Sequence, residues 1–222
     1  MQFSGEELTI KRIFNYVFGL YLITLGVAFS IKSGLGSAPV SSIPYAMDLI
    51  WLINIGVATF IFHAILVLIE WILLRGDFKK KHFLQVFVGV LFGAFTSFSV
   101  SLMGFIPPAD NFFIALFMSI LSILFIALGL FFYVPTNFIP LSVEGVTQAI
   151  AIVSNRPFSR VKVYFDIAVV ATALALSYGF LGQLGSVGIG TILGALFIGT
   201  TVKYIHKLNL HLTGNHVDLK KM

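Results

Sequence analysis

Residues 83–134 read FLQVFVGVLFGAFTSFSVSLMGFIPPADNFFIALFMSILSILFIALGLFFYV, and Asp110 is the only charged residue among them. On each side of the Pro107-Pro108 pair lies an apolar run of at least about 20 residues, the length at which an α-helix crosses a bilayer. Because two consecutive prolines do not continue a helix, this stretch predicts two membrane spans joined by a turn.

Four further apolar runs of spanning length flank this stretch. They cover residues 13–31, about 49–74, about 161–180 and about 185–204. The first run exceeds the apolar region of a signal peptide, about 7–15 residues, which favours a membrane helix over a cleaved leader. Together the runs predict an all-α, polytopic membrane helix bundle with about six transmembrane helices.

The composition of the 222-residue chain agrees with this class, since 58% of the residues are hydrophobic, only 10% are charged and the mean hydropathy is +1.00. A soluble domain is roughly 45–50% apolar and about 25% charged. The surface is therefore expected to face lipid. The net charge of +5 comes from basic residues in short loops, which indicates membrane topology and not a nucleic-acid partner.

The basic residues also determine the predicted orientation. With six crossings, all 14 Lys and Arg residues except Lys32 fall on one side of the membrane. Cytoplasmic loops carry the excess of basic residues, so the N and C termini are both predicted to be cytoplasmic. Five or seven crossings would scatter the same residues over both sides.

Two interrupted segments, residues 33–48 and 135–154, are too apolar for solvated loops and too rich in Gly, Pro and Ser for regular spans. They fall at equivalent places in a loose internal repeat. Leu25-Gly26 matches Leu128-Gly129 at an offset of 103 (128 − 25), and Pro39 matches Pro140 at 101 (140 − 39). The alternative is coincidence between two low-complexity apolar halves.

Each repeat contains three spans, and an odd number of spans makes the second repeat enter the membrane from the opposite side. The predicted architecture is therefore a 3+3 inverted repeat, as in many secondary transporters. The first repeat covers about residues 13–106 and the second about 112–205, within one integral membrane domain that ends in a cytoplasmic tail, residues 206–222.

Four short segments resemble the YczE/YyaS/YitT family of bacterial integral membrane proteins, and most closely its YczE-like branch. They are Gly34-Leu-Gly-Ser-Ala-Pro39, Ile139-Pro-Leu-Ser-Val-Glu-Gly145, the pair Lys162 and Asp166, and Gly188-Ile-Gly-Thr191. The resemblance runs over nearly the whole chain. It implies a location in the bacterial inner membrane, and it implies no catalytic residues.

The polar groups of the interrupted segments, with one acid of the fifth span, form the predicted binding set for a small solute or ion. They are Ser37, Ser41, Ser42, Asn137, Ser142, Glu144 and Asp166. Glu144 either complements the dipole of a short helix that starts near Ser142, or faces a cavity and binds a cation or proton. Asp166 lies four residues after Lys162, so a local ion pair near the interface is the alternative to a binding role.

The second span carries two ionisable residues, His63 and Glu70. Glu70 is close to Arg75 and the end of the span, so its carboxylate is expected to snorkel to the membrane surface. His63 is deeper, and either a hydrogen-bonded neutral side chain or a proton relay fits that place. The sequence contains no nucleotide-binding loop or hydrolase motif, so no enzyme, metal or cofactor is predicted.

Small residues that recur at four-residue spacing let membrane helices approach closely, and two such pairs occupy equivalent repeat positions. They are Gly89 with Gly93, and Gly190 with Gly194. They predict that the third and sixth spans cross near the pseudo-twofold axis. The leading functional prediction is a transporter-like protein for a small solute or ion, and the alternative is an accessory factor that docks a partner protein.

Overall fold

The computed structural model describes residues 10–213, and every regular element within that range is a helix. The α-helices are α1 Ile10–Lys32, α2 Ser42–Trp51, α3 Ile55–Leu74, α4 Leu84–Leu102, α5 Phe112–Tyr133, α6 Ser142–Ser154, α7 Phe158–Leu181 and α8 Ile189–Thr213. Six of them are long and apolar enough to cross a membrane, whereas α2 and α6 are short. The predicted class and the number of spans are confirmed.

The turn at the paired prolines is present as predicted, between α4 and α5. The side chain of Asn111 caps α5 by accepting a hydrogen bond from the backbone N–H of Ile114 at 3.0 Å. Asparagine is favoured at this position because its oxygen satisfies a helix-start N–H that has no partner within the helix.

The second span begins later than predicted, at Ile55 and not near Leu49. Leu52 adopts the left-handed conformation, with φ of 53°, and ends α2. The side chain of Asn54 then caps α3 by accepting a hydrogen bond from Gly56 N at 2.9 Å. The apolar run from 49 to 74 therefore belongs to two helices, which hydrophobicity alone does not separate.

The last helix is longer than the predicted sixth span, since α8 continues to Thr213 and so passes the predicted start of the tail at residue 206. The remainder of that predicted tail, residues 214–222, lies outside the described residues.

The chain forms two compact units, and each takes helices from both halves of the sequence. In the described part of the chain, unit one contains residues 39–97 and 139–187, which are α2, α3, most of α4, α6 and α7. Unit two contains residues 10–38, 98–138 and 188–213, which are α1, the end of α4, α5 and α8.

Unit two is held together by direct backbone contact between α1 and α5. A methyl group on Gly19 would lie 2.8 Å from the carbonyl oxygen of Gly129, and one on Gly129 would lie 2.6 Å from that of Gly19. Gly26 is packed as closely against the Ser122 carbonyl, at 2.8 Å. Glycine lets the two helices approach to this distance in a lipid environment, where no hydrophobic force drives helices together.

Candidate functional site

The two short helices begin in a comparable way in unit one. Helix α2 starts at Ser42 and α6 starts at Ser142, and both side chains are fully buried. Neither helix has a side-chain hydrogen bond at its N-cap. Because the first N–H groups of a helix have no partner within it, both helix starts offer hydrogen-bond donors and a partial positive charge.

The hydroxyls of these two serines differ in their bonding. Ser42 Oγ donates to the carbonyl oxygen of Pro39 at 2.7 Å, whereas Ser142 Oγ has no hydrogen-bond partner within the described residues. A buried polar group without a partner costs about 1–3 kcal/mol. Ser142 is thus a buried donor and acceptor that the fold itself does not use.

One apolar cluster of unit one includes residues from the start of both short helices. Val143 and Val146 of α6 are buried in it, and Ile43 of α2 packs against it. Phe62 and Leu66 of α3 and Val169 of α7 complete the buried core. The beginnings of α2 and α6 therefore share one core with two long helices of the same unit.

The structure divides the other predicted binding residues between the two units. Ser41 is buried in unit one, ahead of α2. Ser37 and Asn137 belong to unit two. Ser37 is fully buried, and the Asn137 carbonyl accepts a hydrogen bond from Arg12 Nη2 at 3.1 Å.

The two predicted acids are both in unit one. Glu144 is half-buried in the first turn of α6, where a negative charge complements the helix dipole. Asp166 pairs with Lys162 one turn earlier on α7, and both side chains are about one-third exposed, at 35% and 31%. This is the local ion pair that was predicted as the alternative to a binding role.

Glu70 differs from its expected snorkelling position, because its side chain is buried and only 2% exposed. Glu70 Oε1 lies 2.6 Å from His82 Nδ1, and Gln85 Nε2 donates to Glu70 Oε2 at 2.9 Å. The 3₁₀ turn Lys80–Phe83 and the start of α4 supply these two partners. A carboxylate with two hydrogen-bond partners no longer needs to reach the membrane surface.

The first turn of α6 closes over this carboxylate. A methyl group on Gly145 would lie 2.7 Å from Glu70 Oε2 and 2.5 Å from Gln85 Oε1. The absence of a side chain at Gly145 therefore brings the positive end of α6 against the acid. Gln85 Oε1 is buried and has no hydrogen-bond partner within the described residues.

His63 lies on the same two-helix interface, seven residues before Glu70. It is 1% exposed, and a methyl group on Gly89 of α4 would lie 3.0 Å from His63 Cβ. Its ring makes edge contacts with those of Phe62 and Phe92, with centroid distances of 5.9 Å and 5.3 Å. His63 Nδ1 has no hydrogen-bond partner within the described chain, unlike the hydrogen-bonded imidazole that the sequence suggested as one alternative.

Two titratable groups on α2 are also perturbed. Burial raises the pKa of the Asp48 carboxyl. Burial also raises the pKa of Tyr45, and the negative charge of Asp48 adds to that effect. Both shifts favour the protonated form in this part of unit one.

Comparison with protein families places the chain in a known group. A family model described as a family of unknown function, DUF6198, matches residues 10–207. The chain belongs to this family. No curated protein and no solved structure matches the chain. Its six apolar helices make this DUF6198 protein a multi-pass membrane protein.

The paired glycines of this DUF6198 chain have neighbours that the sequence did not predict. Gly93 packs against Gly56 of α3, whose carbonyl oxygen would lie 2.5 Å from a methyl group on Gly93. Gly190 N donates to the carbonyl oxygen of Leu35 at 2.7 Å. The fourth glycine, Gly194, is buried on α8.

Two residues of the DUF6198 site, His82 and Gln85, were not predicted from the sequence. One signal for Gln85 is present, because it is the only side-chain amide in the apolar run from 83 to 110. An amide in such a run needs hydrogen-bond partners, and the buried acid of the preceding span is the nearest candidate in the chain.

Proposed function

We propose that this protein is a transporter-like protein of the bacterial inner membrane for a small solute or ion, built as a 3+3 inverted repeat. The element order supports the repeat, since each half contains a long helix, a short helix and two further long helices. Within unit one, α2 packs against α7 and α6 packs against α3, so each short helix packs against a long helix of the other half. An exchange of the two halves maps one pair onto the other.

The observation that carries the transport proposal is the pair of buried helix starts in unit one. Discontinuous helices in transporters direct their N-terminal donors at the solute. Here Ser42 and Ser142 occupy the first position of α2 and α6, and Ser142 Oγ is buried without a partner. A solute with hydrogen-bond acceptors would satisfy the donors at both helix starts, with Ser41 and Glu144 next to them in the chain.

Labelling of a single cysteine tests this proposal. The natural chain has no Cys, so Ser142→Cys reports on one position without background. We expect a membrane-impermeant thiol reagent to modify it slowly but to completion, because a transporter opens its site to water in a state populated at about 0.1–10%. Ala173→Cys, which is equally buried in α7, is the matched control and is expected not to react.

Failure of Ser142→Cys to react, with Ala173→Cys also unreactive, would contradict the transport proposal and favour an accessory factor that docks a partner. The close packing of unit two favours that second candidate. Gly19 and Gly129 bring the backbones of α1 and α5 into contact there, as in a rigid, closely packed helix pair.

The proposed orientation gives a separate prediction. We expect reporter fusions after Lys81 and after Met222 to be active as cytoplasmic fusions, and a fusion after Asp110 to be active as an external one. The reason is the bias of Lys and Arg residues toward one side of the membrane. An external result for the fusion after Met222 would contradict the six-crossing topology, and the result is independent of any transport activity.

We further propose that the resemblance to the YczE/YyaS/YitT family, and to its YczE-like branch, reflects a relationship between that family and DUF6198. Two of the segments that carry the resemblance contact each other in the structure. Gly36 and Gly188 approach each other closely in unit two, and Thr191 Oγ1 accepts a hydrogen bond from Gly188 N at 3.2 Å. Such a contact restricts both segments to glycine and explains why short glycine motifs would persist among relatives.

A further inference from the structure

The burial of Glu70 has a cost that helix packing does not explain. An ionised carboxylate at this depth requires charge-stabilising partners, and ionisable residues within membrane spans usually serve a function. A leucine at this position of the membrane-spanning helix would need no such partner. The chain instead provides His82, Gln85 and the first turn of α6 around a single acid.

We propose that Glu70 is a buried proton-binding site and that His82 loads it from the aqueous side of the loop between α3 and α4. The binding and loading of this proton do not depend on the transport of a solute. Only the coupling of the proton to a solute would rest on the function proposed above.

The geometry of the pair supports the loading step. The His82 side chain is 17% exposed, whereas that of Glu70 is 2% exposed, and Nδ1 lies 2.6 Å from Oε1. A proton from water binds the imidazole at Nε2, and the proton on Nδ1 passes to Glu70 Oε1. One proton enters, one leaves, and the imidazole returns to its neutral form with the tautomer reversed.

Gln85 is suited to both protonation states of the acid. Its Nε2 donates to the ionised carboxylate, while its Oε1 is buried without a partner. Once the proton from His82 is on Glu70 Oε1, Glu70 Oε2 is the carbonyl oxygen of the acid and still accepts the hydrogen bond from Gln85 Nε2. The hydrogen bond from Gln85 therefore persists in both protonation states of Glu70.

Other charged and titratable groups lie on the elements around the acid. Those on helices are His63 of α3, Tyr45 and Asp48 of α2, Glu144 of α6, and on α7 Arg160, Tyr164, Tyr178 and the Lys162–Asp166 pair. Those in the loop are Arg75, Asp77, Lys79, Lys80 and Lys81. Glu144 belongs to the first turn of α6, the turn whose Gly145 faces the Glu70 carboxylate.

Infrared difference spectroscopy of the purified full-length protein in nanodiscs tests the proton-binding site. We expect acidification to produce a carboxylic-acid carbonyl band that shifts when glutamate is isotopically labelled. Glu70→Gln should abolish this band while folded yield is retained, because the amide keeps the shape of the side chain. Glu144→Gln and Asp77→Asn, an exposed loop acid, should each retain it. A band that persists in Glu70→Gln would overturn the proposal.

His82→Asn tests the loading route, because the asparagine amide replaces Nδ1 as a hydrogen-bond donor but does not relay protons. After a rapid drop in pH we expect the Glu70 band to reach its full amplitude at least about 100-fold more slowly than in the wild type, the scale of general acid–base effects. A rate equal to that of the wild type would overturn His82 as the entry point. A merely structural His82 would change stability and leave this rate unchanged.

Discussion

Replacement of Gly36 by alanine is expected to lower the melting temperature of the detergent-solubilised protein by roughly 6–12 °C. This corresponds to a loss of about 3 kcal/mol in the free energy of unfolding, because each kcal/mol lowers the melting temperature of a chain of this size by about 2–4 °C. Two effects add up at Gly36. Its φ is +98°, a conformation that costs a residue with a side chain about 1–3 kcal/mol. Its missing side chain also leaves room for Gly188, and overpacking costs about 1–3 kcal/mol.

The contact at Gly36 offers little room for relief, because the crowded atoms belong to the backbone. A methyl group would meet the backbone N of Gly188, lie 2.9 Å from its Cα and lie 2.6 Å from Thr191 Oγ1. The neighbouring hydrogen bond from Gly190 N to the Leu35 carbonyl, at 2.7 Å, holds these segments at their distance. The segments would have to separate to admit the methyl group.

Gly34→Ala is the matched control for this prediction. Gly34 lies in the same turn and also has a positive φ, of +69°, but nothing lies within 4 Å of its missing side chain. Gly34→Ala should therefore be destabilised only by the conformational cost, about 1 kcal/mol, which lowers the melting temperature by roughly 2–4 °C. Equal decreases for Gly34→Ala and Gly36→Ala would show that the close approach to Gly188 contributes nothing.

Hydrophobicity and charge predicted the six long helices because both act over whole segments of the chain. A run such as residues 112–133 has no stable alternative to a helix in lipid, where every backbone N–H and C=O needs an internal partner. The exact start of α3 was not predicted, since it depends on the conformation of Leu52 and on the cap at Asn54. Both are local features within a continuous apolar run.

The candidate site was predicted only in part, for a different physical reason. The serines at the starts of α2 and α6 were apparent as polar groups in interrupted segments. The partners of Glu70 were not apparent, because His82 and Gln85 are 12 and 15 residues away in the chain and meet it through the turn between α3 and α4. Proximity to Arg75 in the sequence suggested a surface position that the fold does not provide.

The glycine pairs show the same limit. Four-residue spacing predicts a helix face on which a backbone can approach closely, but it does not identify the neighbour. Gly89 and Gly93 face α3, the helix that precedes their own in the chain, through His63 and Gly56. Short connections favour neighbours in sequence as neighbours in space, and the contact of α4 with α3 follows that rule.

Gly93→Leu is expected to abolish most of the monodisperse, folded protein after extraction in detergent. Gly93 and Gly56 each face the other's carbonyl oxygen, so neither backbone has a flexible side chain that could move away. Replacement of a hydrogen by a four-carbon side chain at this contact forces α3 and α4 apart. The expected cost exceeds the about 1–3 kcal/mol of ordinary overpacking, because the obstacle is a helix backbone.

The separation of α3 from α4 would also disturb the contacts of the buried acid, Glu70. Gly93, Gly89 and Gln85 lie at four-residue intervals on one face of α4, and that face contacts α3. Gln85 would therefore move away from Glu70, which would leave a buried charge with one partner fewer. Loss of a hydrogen bond to a charged group costs about 1.5–3 kcal/mol. The two costs arise from one substitution, which is why this effect is expected to be the largest.

Gly199→Leu on α8 is the control, because Gly199 is exposed and nothing lies within 4 Å of its missing side chain. A leucine there would face lipid, and we expect yield and melting temperature close to those of the wild type. Gly93→Ala should fall between the two, since a methyl group would still meet the Gly56 carbonyl at 2.5 Å. Normal yield of Gly93→Leu in size-exclusion chromatography would contradict the close contact of α3 and α4. Such a result would also contradict the rigid α3–α4 interface on which the Glu70 site depends, because that interface holds Gln85 against Glu70.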